Sequence, residues 1–197
     1  GGKANQRGVV HTASYEARAI GIRTGMSLMK AKTICPEAVF LKGNYAHYRA
    51  VSEVFQAVYL KYTPAVEFTS LDDAYLDLTG TEHLFAPRMA ARKIFEEIKL
   101  RTGVGVSIGI ASNKVIAQIA SGLNKPAGIV EIPAGQEQSF LSGLPVDALP
   151  GIGRIAKERL TDLHIFTIDQ LRKLSRIILE QLFGKNGIRM WEMANGI

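Results

Sequence analysis

Phe68-Thr-Ser-Leu-Asp-Asp-Ala-Tyr-Leu-Asp-Leu78 sets two adjacent carboxylates, Asp72 and Asp73, between two β-like runs. Val66 and Phe68 lead in; Tyr75, Leu76 and Leu78 lead out, with Gly80 soon after. Successive residues of a strand point to opposite faces, so two neighbouring carboxylates converge only at a strand end or a tight turn. Aspartate is a common turn residue, and a solvated hairpin accounts for the pair taken alone. Two ionised carboxylates held together also repel, and a cation between them relieves the repulsion. The residues around the pair decide between these readings.

Working towards the N-terminus, Pro64 separates the hairpin from an amphipathic helix predicted over Tyr45 to Tyr62, with Tyr48, Val51, Val54, Phe55, Val58 and Tyr59 as its buried stripe. Val39-Phe-Leu41 reads as a brief strand, and Met26 to Thr33 as a short helix stopped before Pro36. Gly8 to Thr12 is β-like and feeds a helix over Ala13 to Ile20, with Ser14 as its N-cap and Gly21 as its stop. Tyr15 and Arg18, three apart, share a face of that helix. A strand feeding a helix start, with Thr12 at the junction, is a common phosphate-binding arrangement. Simple capping and a solvated arginine give the same pattern. Gly1 to Gln6 reads as loop.

Towards the C-terminus a helix is expected over Leu84 to Leu100, with Met89, Ile94, Phe95 and Ile98 inward. In the strand-like run Val104 to Ala111, Gly105 and Gly109 suggest close approach of another backbone or helix. Ser112 or Asn113 caps a helix to about Leu123, Lys125 precedes the turn at Pro126 and Gly128, and Ile129 to Ile132 is a short strand. Helices alternate with strands around a hairpin, which indicates an α+β sheet packed by helices on one face. After Pro133 only helices and tight turns are expected, so a boundary is placed near 133 to 136. There Pro150-Gly-Ile-Gly153 makes a glycine turn opening a helix at Arg154. Gly151, Ile152 and Gly153 would present backbone N–H groups to a phosphate, with Arg154 and Lys157 nearby. This matches the hairpin of a helix-hairpin-helix module, which grips a nucleic-acid backbone without reading sequence.

The bulk numbers agree. The 197 residues suffice for one large or two small domains, and 47% hydrophobic with 21% charged is ordinary globular composition. No apolar run approaches a membrane span, no signal pattern is visible, and the single Cys35 excludes an intramolecular disulfide or a cysteine-rich zinc site. The expected setting is cytoplasmic. The net charge of +6 comes from residues 1 to 50, which hold eight Lys/Arg against two acids. A basic patch suits a polyanion.

Taken together, Thr12-Ala-Ser-Tyr-Glu-Ala-Arg18, Ser70-Leu-Asp-Asp-Ala-Tyr-Leu-Asp77, Gly109-Ile-Ala-Ser-Asn-Lys114, Ile119-Ala-Ser121 with Asn124-Lys-Pro-Ala-Gly128, and Pro150-Gly-Ile-Gly153 resemble, in order, the Y-family (lesion-bypass) DNA polymerases of the bacterial DNA polymerase IV type. The resemblance implies a right-hand layout: fingers over 1–44, palm over 45–132, and an all-α helix-hairpin-helix thumb over 133–197. It implies that Asp72 and Asp73 bind two Mg²⁺ ions, and that Thr12, Tyr15, Arg18 and Lys125 hold the incoming deoxynucleoside triphosphate. It further implies that the thumb tracks primer-template DNA, near the nucleoid. The family's first metal-binding Asp and its ribose-gating aromatic fall before residue 1, and its little finger, with a possible sliding-clamp contact, after residue 197. Asp73 stands where the family has Glu, Gln118 where relatives often carry Lys, and His11 where a small residue is usual. Residues 1–197 alone are therefore expected to be inactive. Two other classes share parts of the pattern: a nucleotidyl-cyclase-like palm, and a non-catalytic DNA-binding module built on the helix-hairpin-helix.

Overall fold

The computed structural model describes residues 7–81 and 83–197. The opening Gly1 to Gln6, read as loop, lies outside them. The chain divides into two compact units, Gly1–Val51 and Ser52–Ile197.

The first unit is built around Val10. Its N–H donates to Met26 O at 2.8 Å and its carbonyl accepts from Gly25 N at 2.8 Å, and Val9 and Ser27 form an antiparallel bridge. The β-like run at Gly8 to Thr12 therefore reaches one bridge, not a strand. Helix α1 is Tyr15–Ala19, with the Ser14 hydroxyl accepting from Ala17 N; α2 is Leu28–Ile34, with Ser27 accepting from Lys30 N. Val10, Ile22, Leu28, Ala31 and Cys35 make the core, so Cys35 is the buried thiol its apolar neighbours suggested. The strand expected at Val39 to Leu41 does not form: Val39 is 84% and Leu41 76% exposed, and β-prone residues without a ladder partner stay irregular. Helix α3, Tyr45–Tyr59, crosses the division. Its stripe buries Phe55, Val58 and Tyr59, whereas Tyr48, expected inward, is exposed.

The second unit opens with the hairpin. Strands β1, Val66–Phe68, and β2, Ala74–Leu76, pair antiparallel in the register Val66↔Leu76, Glu67↔Tyr75, Phe68↔Ala74. Helix α4, Pro87–Thr102, begins with proline in its first turn and ends at Gly103 in the left-handed conformation, φ 74°. Ala90, Ala91, Ile94 and Ile98 face inward, while Met89, expected inward, is half exposed. Strand β3, Ile108–Ile110, helix α5, Lys114–Leu123, and strand β4, Ile129–Glu131, form a parallel crossover unit. Asn113 is the α5 cap, accepting from Ile116 N at 3.0 Å. Among the described residues the hairpin and the β3–β4 pair are separate two-stranded sheets rather than one continuous sheet.

From Glu137 onward the chain is helical: α6 Glu137–Ser142, a 3₁₀ turn Val146–Ala148, α7 Arg154–Asp162, α8 Ile168–Arg172, α9 Arg176–Phe183 and α10 Lys185–Ala194. Their core, including Leu141, Leu160, Leu171 and Leu179, is continuous with Ile116 and Ile119 of α5. The architecture is α+β with a helical C-terminal part. No helix among the described residues is long and apolar enough to cross a membrane.

Candidate active site

The turn joining β1 to β2 is organised by Ser70. Its hydroxyl donates to Asp72 Oδ1 at 2.7 Å and accepts from Asp72 N at 3.2 Å and Asp73 N at 3.0 Å. The Asp73 carbonyl accepts from Thr69 N, Ser70 N and the Thr69 hydroxyl at 3.1 to 3.3 Å. The backbone is thus tied on the inside, and the two carboxylates are left exposed at the hairpin tip. Pairing ends at Phe68↔Ala74, so the adjacent aspartates escape the alternation that would send them to opposite faces.

Tyr59, at the end of α3, is buried near this tip. Burial first, then the negative charges of Asp73 and Asp72, push its hydroxyl pKa up to about 12. The sequence placed Tyr59 in an apolar stripe, which is correct, but gave no signal of its link to the aspartates.

In the first unit Thr12 and Arg18 come together. Arg18 donates from Nε to Ala13 O at 2.9 Å and from Nη2 to Thr12 Oγ1 at 3.2 Å, and Arg23 donates to Arg18 O. Tyr15 is 54% exposed at the start of α1. An arginine fixed by one edge leaves further N–H donors for a phosphate. Lys125 lies exposed in the second unit, in the turn before β4.

In the glycine turn Gly151 has φ 87°, a conformation L side chains rarely adopt, and Gly153 is the N-cap of α7. Ile152 buries its side chain in the helical core, so only its backbone faces outward chemistry. Arg154 extends to solvent with Glu158 at 3.5 Å, whereas Lys157 turns back to Asp147 at 2.6 Å. Gly151 shares a groove of about 270 Å³ with Tyr75, Lys114, Gln118, Asn186 and Arg189, so the glycine turn and Tyr75 of β2 border one cleft, which Asp72 and Asp73 do not line.

Asp72 and Asp73 present hard oxygen donors, and Mg²⁺ takes one or two carboxylates, completing its shell with water and phosphate oxygens. The pair fits that ion. No cluster of three or more His, Cys, Asp or Glu occurs among the described residues.

Residues 1–122 match the impB/mucB/samB family, and residues 147–197 match the DNA polymerase-iota thumb domain. The chain belongs to the impB/mucB/samB family. It is 41% identical over 197 residues to a DNA polymerase IV of Desulfatibacillum aliphaticivorans and 42% identical over 198 residues to one of Dehalococcoides mccartyi; both alignments cover all of this chain. It spans about half the length of these relatives, 50% and 51%. The crystal structure of DinB from Sulfolobus solfataricus superposes with TM-score 0.88 at 32% identity, covering 96% of this chain and 57% of that one. An insertion ternary complex of Dbh DNA polymerase superposes with TM-score 0.87 at 32% identity, covering 100% and 58%. The family resemblance and the α+β fold read from the sequence are both borne out.

Proposed function

We propose that this chain is the core of a template-directed DNA polymerase of the lesion-bypass type, joining deoxynucleotides to a primer 3′-hydroxyl. The observation that carries the reading is the Ser70-braced turn, which exposes two adjacent carboxylates at the tip of a hairpin whose Tyr75 lines a cleft shared with the glycine turn. Fingers over 1–44, palm over 45–132 and thumb over 133–197 give the parts their roles.

Asp72 and Asp73 would hold two Mg²⁺ ions. When bound, these supply activation of the 3′-hydroxyl and neutralisation of the leaving pyrophosphate. The rest is done by side chains of this chain. Ser70 keeps Asp72 oriented outward through its hydroxyl. Arg18, anchored on Thr12 and Ala13, offers its remaining guanidinium N–H groups to the triphosphate, with Tyr15 beside it. Lys125 adds a point charge. Gly151 to Gly153 let the duplex backbone approach closely, and Arg154 contributes a mobile cation. Lys157, paired with Asp147, releases that contact to reach a phosphate. The partners are primer-template DNA, deoxynucleoside triphosphates and, through the whole protein, a sliding clamp, in a cytoplasmic, nucleoid-associated setting.

Primer extension tests this. In the intact protein Asp72→Asn is expected to lower kcat by about 10³-fold or more, with duplex affinity unchanged. Residues 1–197 alone are expected to bind duplex DNA, more weakly as salt rises, without measurable extension. Undiminished extension by Asp72→Asn overturns the reading and leaves a DNA-binding module.

A further inference from the structure

Four side chains outside the proposed metal, triphosphate and DNA sets meet between the hairpin and α5. Glu67 of β1 and Tyr75 of β2 are directly opposite in the ladder and so share one face of the hairpin. Lys114 and Gln118 are four residues apart on α5 and so share one face of that helix. The two pairs interlock. The Lys114 ammonium pairs with the Glu67 carboxylate and lies 5.6 Å from the centre of the Tyr75 ring. The Tyr75 hydroxyl donates to Gln118 Oε1 at 2.9 Å.

The location gives these contacts their weight. α5 belongs to the β3–α5–β4 unit, and no ladder bond among the described residues joins that unit to the hairpin. A hairpin of three-residue strands is marginal by itself. Side-chain contacts must therefore fix where its tip lies, and the tip carries Asp72 and Asp73. Gln118 suits the task because its amide oxygen accepts the phenol proton. A lysine at this position has donors only and could not accept it.

We propose that Glu67–Lys114 and Tyr75–Gln118 form a polar clamp that positions the Asp72–Asp73 turn against α5. All four are positioning residues, acting through the hairpin. The consequence for metal binding rests on the reading of Asp72 and Asp73 as metal ligands; the clamp itself does not. Lys114 and Glu67 are 60% and 55% exposed in their side chains, so removing either charge leaves no buried orphan and the variants keep the fold.

The test uses residues 1–197, with amide hydrogen exchange and Mn²⁺-induced broadening followed by NMR. The amides of Thr69 and Asp77, which donate to Asp73 O and Ala65 O, report the two ends of the hairpin. Lys114→Met is expected to speed their exchange about fivefold and to raise the Mn²⁺ midpoint at the Asp72 and Asp73 amides by a similar factor. Gln118→Met should move the same amides, and Gln118→Glu, which keeps the acceptor, should not. Exchange in α7 to α10 should stay as in the parent. The charge swap Glu67→Lys with Lys114→Glu should recover both readouts. Exchange at Thr69 and Asp77 within twofold of the parent in both Met variants, or no recovery in the swap, overturns the clamp. If the parent shows no broadening at Asp72 and Asp73, the metal reading fails and hydrogen exchange alone decides the clamp.

Discussion

Tyr59 is 9% exposed at the end of α3, and the negative charges of Asp73 and Asp72 act on its hydroxyl. Its pKa of about 12, against 10 for a free tyrosine, means that the folded state resists forming the phenolate. The contribution to stability is fully present below pH 10, the unfolded value, and is lost as pH rises through 12. A shift of that size corresponds to roughly 2–3 kcal/mol. Urea unfolding from pH 9 to 12 should therefore show a steep alkaline loss of stability, and Tyr59→Phe should flatten it; an unchanged slope in the variant assigns the loss elsewhere. Position 59 was legible as core because its period matched Phe55 and Val58. Its electrostatic role was not, because the charges come from residues more than a dozen positions away. The same holds for Lys114 and Gln118, whose helix was legible but whose cross-strand partners depend on register.

At the scale of elements, glycine was the most informative residue. An added Cβ at Gly109 would stand 1.9 Å from Ala117 O and 2.7 Å from Ser121 N, so β3 touches α5 backbone to backbone. The Val-Gly-Val-Ser-Ile-Gly run indicated that approach before any partner was known. Gly109→Ala must push strand and helix apart, at a cost of about 3 kcal/mol or more. Gly122, inside α5 with nothing within 4 Å of an added Cβ, is the control. Gly122→Ala should leave stability unchanged or raise it by up to about 1 kcal/mol. Urea midpoints of the two variants check both; a mild effect at Gly109 would mean that the crossover unit is looser than its geometry indicates. Val39 to Leu41 failed as a strand for the opposite reason: propensity marked it, but a strand needs a neighbour, and composition carries no record of one.

For the whole molecule, the composition change after Pro133 marks a real change to helices and turns, yet the hydrophobic core runs through it. Ile116 and Ile119 of α5 pack with Leu141, Leu160 and Leu179, a continuity that periodicity within one helix cannot reveal. The division into two compact units falls at Val51, in the middle of α3. The two cores differ in size. Among the described residues, a cluster of five buried side chains, Val10, Ile22 and Leu28 among them, anchors the first unit; the second has a cluster that extends through α5 and the C-terminal helices. A unit of about fifty residues buries a smaller fraction of its surface than a larger one, and so opens more easily. Native-state hydrogen exchange should show this at matched amides. Ala31 and Cys35 donate to Ser27 O and Ala31 O in the first unit; Ala117 and Leu179 donate to Asn113 O and Ser175 O in the second. Opening free energies in the first unit are expected to be lower by about 2 kcal/mol or more. Thr12, Tyr15 and Arg18, the residues proposed to hold the triphosphate, lie in the first unit. Nucleoside triphosphate should therefore raise protection at Ala31 more than at Leu179 if it binds there. Equal protection across the four amides without ligand would mean one cooperative unit, and no ligand effect at Ala31 would move the triphosphate site away from Arg18.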